Sequence, residues 1–225
     1  MRANPVFVAV DTPDLARAQA LARAVGAHVG GLKLGLEFFM ANGPAGVRAI
    51  GELGLPVFLD VKLHDIPNTV AGALRSLSVL DLAVVNVHAG GGAAMLAAAR
   101  EACPARTKLI AVTVLTSLDD PDMAAMGVGD GAAAQVARLA GLTRAAGLDG
   151  IVCSPHEVAA MKAAWPKGYF VVPGVRPEGA EVGDQKRVMT PRAARDAGAS
   201  MLVIGRPITG AADPAAAAAA IAASL

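Results

Sequence analysis

Four ionisable side chains lie within six consecutive positions of this sequence. Asp60, Lys62, His64 and Asp65 directly follow the apolar stretch 55–59. Successive side chains of a strand point to opposite faces, so we expect Asp60 and Lys62 on one face at a strand end. A carboxylate and an ammonium held side by side on a rigid element can stabilise charge and move a proton. The alternative is a salt-bridge cluster at the rim of the fold.

The rest of the sequence predicts the elements that hold this run. Apolar, β-branched runs alternate with segments of helical spacing. The predicted strands are 6–11, 29–35, 57–62, 83–88, 109–115, 150–154, 170–175 and 201–206, and the predicted helices are 14–25, 38–53, 69–80, 92–103, 132–146, 155–164, 191–197 and a tail capped by Asp213. Strict alternation predicts the α/β class, as a single (β/α)8 TIM barrel over residues 1–225. An open doubly wound sheet is the alternative.

In such a barrel the reactive side chains gather at one end. The predicted strands are apolar until their carboxyl ends, where polar residues and glycines follow. These residues are Asp11, Lys33, Asp60 with Lys62, His88, Thr116, Ser154, Gly174, and Gly205 with Arg206. Active sites of barrels lie at this end, so these residues are candidates for one pocket. Two lysines and up to three aspartates there exceed what stability requires, because buried charges cost more than they return unless paired.

The last two predicted strands indicate a binding site for an anion. Gly205 lets a backbone N–H approach a phosphate, and Arg206 offers two donors to it. The polar loop 176–190 is long enough to be a lid. A surface arginine and an ordinary glycine turn are the alternatives.

Four further residues are assigned from their positions alone. We expect His64 to be structural and His88 to line the pocket floor. Met123 and Met126, in the loop after the fifth strand, are expected to pack rather than to form a recognition surface.

Composition restricts the class of partner. Twenty basic and nineteen acidic residues give a net charge of +1, which provides no broad field for nucleic acid or an anionic membrane. One Trp, one Tyr and five Phe leave few rings on which bases could stack. These features favour a small-molecule substrate.

Cysteine usage and apolar runs suggest a cytoplasmic enzyme. Cys103 and Cys153 lack the spacing of a zinc site and are expected to be reduced core residues. The apolar run that ends at Asp11 is too short for a signal peptide. The sequence also contains no uninterrupted apolar run of about 20 residues, the length needed to cross a bilayer.

Several segments together resemble the orotidine 5′-phosphate decarboxylase family. They are residues 8–11, 32–35, 58–69, 86–89, 112–117, 172–176, 183–187 and 204–209, and they extend over nearly the whole chain. The most specific are the run after Asp60, the loop that holds Gln185, and the Gly205–Arg206 pair.

The resemblance implies a homodimer that converts orotidine 5′-monophosphate to UMP and carbon dioxide without a cofactor or metal ion. Lys62 would protonate C6 of the pyrimidine, and Asp60, Lys33 and the partner subunit's Asp65 would complete an alternating network of charges. The implied substrate-binding residues are Asp11, Lys33, Asp60, Ile66, Thr116, Arg176, Gln185, Gly205, Arg206 and the partner subunit's Thr69.

Two other functions remain open from the sequence. A related sugar-phosphate decarboxylase or aldolase would use the same run to hold a divalent metal ion, although Lys33 and Lys62 would repel a cation. A non-catalytic nucleotide-binding protein is the second alternative, although all of the charged residues are present.

Overall fold

The computed structural model describes residues 4–177 and 189–225. In these residues eight parallel strands form a closed barrel, each paired with the next in sequence and the last paired with the first. The strands are β1 (Val6–Val10), β2 (Gly31–Leu34), β3 (Val57–Leu63), β4 (Val84–His88), β5 (Lys108–Val112), β6 (Gly150–Val152), β7 (Tyr169–Val172) and β8 (Met201–Ile204). The predicted barrel is confirmed, and the open doubly wound sheet is excluded.

Helices follow the strands along the chain. They are α1 (Leu15–Val25), α2 (Leu36–Gly51), α3 (Pro67–Leu77), α4 (Gly92–Ala102), α5 (Asp120–Ala125), α6 (Gly131–Ala145), α7 (Val158–Ala164), α8 (Pro191–Asp196), α9 (Arg206–Thr209) and α10 (Pro214–Ala223). Local sequence fixes several starts, because Asp14, Thr190 and Asp213 each accept a hydrogen bond from a first-turn N–H. Among the described residues, none of the helices combines the length and the hydrophobicity that a membrane span requires.

Two apolar layers hold the barrel together. The interior is filled by side chains that alternate along the strands, namely Phe7, Ala9, Phe58, Val84, Ile110, Val171, Met201 and Val203. The intervening side chains, such as Val8, Leu32 and Leu59, point outward and pack against the helices. The polar residues of the strands are therefore left at the carboxyl end, where the interior layer stops.

Two short helices were not predicted. Asp119 caps α5 through a reciprocal pair of hydrogen bonds with Asp122, and α9 begins at Arg206, directly after β8. The structure also corrects one packing prediction. Met123 is buried in α5 as expected, but Met126 is 58% exposed because it lies after the helix end.

One irregularity interrupts the barrel next to the charged run. Leu59 pairs with Val85, and the next paired residue of β3, Leu63, pairs with Val87. Residues 60–62 therefore face Asn86 alone, and β3 carries two more residues than β4 over this interval. Lys62 has φ of 49°, and it is the one non-glycine residue in the described chain with positive φ.

Candidate active site

A cavity of about 560 Å³ opens at the carboxyl ends of the strands. Its apolar floor is made by interior side chains such as Phe58, Val171 and Val203. Its polar lining consists of Asp11, Lys33, Asp60, Lys62, Thr116, Arg176, Arg206 and Thr209, with the backbone of Gly205. Volume and lining are typical of a small-molecule site.

Four of these side chains form a chain of alternating charge. The Lys33 Nζ lies 3.1 Å from Asp11 Oδ1 and 3.4 Å from Asp60 Oδ2. Lys62 Nζ donates to Asp60 Oδ1 at 2.7 Å. The side chains of Lys33 and Asp60 are 10% and 13% exposed, whereas that of Lys62 is 31% exposed. All three side chains line the cavity, and that of Lys62 is the most exposed of them.

Asp60 is held in its ionised form. Burial alone would raise the pKa of its carboxyl, but Lys33, Lys62 and the hydrogen bonds from Lys62 and Asn86 lower that pKa below its ordinary value. A fixed carboxylate next to an ammonium, above an apolar floor, gives a preorganised field that water does not screen strongly.

Two arginines mark another part of the cavity wall. Arg176 is 9% exposed and donates through one terminal nitrogen to the carbonyl of Val175 at 2.9 Å. Burial and the positive charge of Arg206 lower the pKa of Arg176, and both arginines line the cavity. Two guanidinium groups in one cavity wall attract a doubly charged anion such as a phosphate monoester. Gln185, which was assigned to the same anion, lies outside the described residues.

Three of the predicted site residues lie away from this cavity in the described chain. Asp65, Ile66 and Thr69 are exposed, around the start of α3, and none of them lines the cavity. The Asp65 carboxylate accepts a hydrogen bond from the N–H of Ile66 at 2.6 Å. Ile66 is 68% exposed, which is unusual for an isoleucine.

The structure corrects the prediction for His88. Its ring stacks on that of His64, with centroids 5.0 Å apart and an angle of 12° between the rings. Its Nδ1 accepts a hydrogen bond from the N–H of Gly90. Among the described residues, the cavity lining does not include His88. The bulged end of β3 brings His64 over His88, and both rings are held by local contacts.

Asn86 and Thr209 belong to the site or its support but were not predicted from the sequence. Thr209 reaches the cavity because α9 follows β8 directly. Asn86 is fully buried and bonds to both Asp60 and Lys62. The available signal was a carboxamide in the middle of the apolar run 83–87, since a buried amide requires partners.

Comparisons with known proteins give a consistent assignment. A model of the orotidine 5′-phosphate decarboxylase / HUMPS family matches residues 4–221. A protein of Novosphingobium aromaticivorans named orotidine 5′-phosphate decarboxylase is 62% identical over 99% of each chain. The protein of that name from Moorella thermoacetica is 53% identical over 99% of this chain and 92% of its own. The crystal structure of the Lactobacillus acidophilus protein of that name is 34% identical, covers 98% of each chain and has a TM-score of 0.86.

Proposed function

Because the chain belongs to the orotidine 5′-phosphate decarboxylase / HUMPS family, we propose that Lys62 donates the proton that replaces the departing carboxyl group. The chain is an enzyme that decarboxylates orotidine 5′-monophosphate in pyrimidine biosynthesis. The observation that carries the proposal is the alternating chain of Asp11, Lys33, Asp60 and Lys62, which ends in an ammonium exposed to the cavity.

The chemistry requires such a group. When the bond from C6 to the carboxylate breaks, the electron pair stays on C6, and no carbonyl is placed to delocalise it. An ammonium next to C6 stabilises this pair and then transfers its proton to it, so that a C–H bond forms and a neutral amine remains. Solvent returns the proton to Lys62 after the products leave. Asp60 holds the ammonium in place by accepting the hydrogen bond from Lys62 Nζ at 2.7 Å.

The other polar residues of the cavity are assigned to substrate binding. Asp11 and Lys33 would bind ribose hydroxyls, and Thr116 would contact the edge of the pyrimidine. Arg176, Arg206, the N–H of Gly205 and Gln185 would bind the phosphate. The presence of Arg176 and Arg206 in one cavity wall supports this last assignment, because two guanidinium groups match the charge of a phosphate. Binding energy from this remote group would fix the position of C6.

We propose that the reaction uses no metal ion or cofactor. Asp60 is already paired with the ammonium groups of Lys33 and Lys62, at 3.4 and 2.7 Å. A divalent cation at Asp60 would face both positive charges. These pairs disfavour the metal-dependent sugar-phosphate chemistry that the same run could otherwise support.

We also propose a homodimer in which each subunit completes the other's site. Asp65, Ile66 and Thr69 lie outside the cavity of their own chain and are exposed at the same end of the barrel. A two-fold interface over the start of α3 would bury Ile66 and bring the partner subunit's Asp65 and the partner subunit's Thr69 to the cavity.

We also propose a cytoplasmic location, from the state of the two cysteines. Cys103 and Cys153 are both buried and neither forms a disulfide. Reduced thiols are typical of proteins in a reducing compartment.

The proposal is tested by following the ultraviolet absorbance of orotidine 5′-monophosphate after purified protein is added in the presence of a chelator. Loss of the orotate band is expected, and an absolute requirement for added metal would contradict the metal-free reaction.

Lys62→Ala should lower kcat by at least about 10²-fold, as expected for a lost proton donor. Lys108→Ala is the matched control, because Lys108 begins β5 at the opposite end of the barrel. Retention of more than about a tenth of wild-type kcat in Lys62→Ala would remove Lys62 from this role.

A further inference from the structure

We propose that Asn86 is a positioning residue that holds Asp60 and Lys62 in their working geometry through the two ends of one amide. The inference rests on the role proposed for Lys62 and adds a residue that does not line the cavity among the described residues. Asn86 acts on the reaction only through its two neighbours.

The contacts of Asn86 connect the two residues directly. Its Nδ2 donates to Asp60 Oδ1 at 2.7 Å, and its Oδ1 accepts from the backbone N–H of Lys62 at 2.8 Å. Asp60 Oδ1 is also the atom that accepts from Lys62 Nζ. Asn86, Asp60 and Lys62 therefore form a closed ring of hydrogen bonds that includes both the backbone and the ammonium of Lys62.

The bulge in β3 explains why a side chain has to supply the acceptor. Residues 60–62 have no residue-by-residue partners in β4, because Asn86 alone faces all three. The N–H of Lys62 is thereby removed from the regular strand ladder, and Asn86 Oδ1 takes the place of a backbone carbonyl. A buried N–H without an acceptor would cost about 1–3 kcal/mol. Lys62 also has φ of 49°, a conformation that a side chain adopts only when its surroundings impose it.

An amide is the side chain that fits both partners. The ionised Asp60 carboxylate can only accept a hydrogen bond, and the N–H of Lys62 can only donate one. The two partners therefore fix the orientation of the Asn86 amide. Leucine has a similar shape but satisfies neither partner, and an ionised aspartate would satisfy the N–H but repel Asp60.

A matched control separates this role from the general effect of a buried polar side chain. Thr113 is also buried, at 1% exposure, and its hydroxyl donates to the carbonyl of Val152 at 2.7 Å. Among the described residues it does not line the cavity. Thr113→Val removes a buried hydrogen bond near the same end of the barrel without touching Asp60 or Lys62.

The first test compares Asn86→Leu with Thr113→Val and wild type for kcat, for KM with orotidine 5′-monophosphate, and for inhibition by UMP. Asn86→Leu should lower kcat by about 10²-fold, the loss expected when a reacting group is displaced by about 1 Å. KM and inhibition by UMP should stay within about twofold, since the contacts to phosphate and pyrimidine are elsewhere. Thr113→Val should keep all three parameters near their wild-type values. Equal kcat in the two folded variants, or a loss in Asn86→Leu that appears only in KM, would overturn the proposal.

The second test uses Asn86→Asp, which has nearly the same shape and gives an answer even where Asn86→Leu fails to fold. The introduced carboxyl would contact Asp60 and the backbone of Lys62 from β3, and Lys33 from β2 is paired with Asp60. The titratable His88 lies two residues further along β4, with His64 stacked on it. When the introduced carboxyl is protonated, its O–H replaces the Nδ2 donor to Asp60, and when it is ionised, it repels Asp60. The kcat of this variant, divided by that of wild type at each pH, should therefore rise as pH falls.

A pH-independent ratio would overturn the positioning role. Failure of the underlying proton-donor role is distinguishable, because it would appear as activity in Lys62→Ala, whatever the Asn86 variants show.

Discussion

Mixing two inactive variants tests the proposed shared site most directly. Lys62 lines the cavity of its own chain, whereas Asp65 is exposed outside it. If the partner's Asp65 completes each site, Lys62→Ala and Asp65→Ala homodimers each lack one component in both sites. In a mixed dimer both defects fall in one site, and the other site combines an intact Lys62 with an intact Asp65.

The recovered activity follows from the two-fold arrangement. Random reassortment of equal amounts makes about half of the dimers mixed, and each has one intact site of two, so about a quarter of wild-type activity should return. For a fraction f of one variant, the expected activity is about f(1 − f) of wild type, which gives about 0.16 at f of about 0.2. This curved dependence on mixing ratio distinguishes complementation from a contaminating active enzyme.

The assay mixes the variants under conditions that dissociate and reassociate subunits, and then follows the orotate absorbance. Mass spectrometry of intact dimers with one isotope-labelled variant measures the exchange. Lys62→Ala mixed with Asp60→Ala is the matched control, because both residues line the cavity of the same chain and neither mixed site would be complete. Confirmed exchange of Lys62→Ala with Asp65→Ala without recovery of activity would refute the shared site.

Three further predictions concern the phosphate site, the backbone of Lys62 and the histidine pair. Arg206→Ala should lower kcat/KM for the nucleotide by about 30-fold, or about 2 kcal/mol for a charge-assisted contact, and should leave kcat/KM for the phosphate-free nucleoside nearly unchanged; equal losses for both substrates would contradict phosphate binding. The melting temperature of Lys62→Gly should be about 2–4 °C higher than that of Lys62→Ala, because the positive φ costs about 1 kcal/mol for a residue with a side chain. In the control pair, Val61→Gly should melt at a lower temperature than Val61→Ala. Burial, His64 and Lys62 lower the pKa of His88, so the folded state binds fewer protons than the unfolded state, and the free energy of unfolding should fall as pH drops below about 6.5. In denaturant titrations at several pH values, the free energy of unfolding of His88→Gln should fall less with decreasing pH than that of the wild type. Parallel curves for the variant and the wild type would disprove this role of His88.

The barrel was predictable because its signals are local. Each strand is a short apolar run followed by a helical segment, and a capping aspartate, a capping threonine or a proline marks the start of several of these helices. The same alternation placed Asp11, Lys33, Asp60 and Lys62 at one end of the barrel, and the structure brings these four side chains into one charged chain.

The remaining features depend on pairing between distant parts of the chain. The register of β3 against β4 determines that Asn86 faces three residues, and no local pattern in either strand encodes that register. The stacking of His64 on His88 is missed for the same reason. Met126 is exposed because a helix that was not predicted ends before it.

The bulge in β3 limits how this barrel can be changed in length by evolution or in the laboratory. Loops between strands and helices tolerate insertions and deletions, because their ends need only remain close together. A single-residue deletion within 60–62 would turn every later side chain of β3 to the opposite face, and a two-residue deletion would restore regular pairing while removing a charged residue. Libraries made to alter substrate choice should therefore keep the length of residues 57–63 fixed.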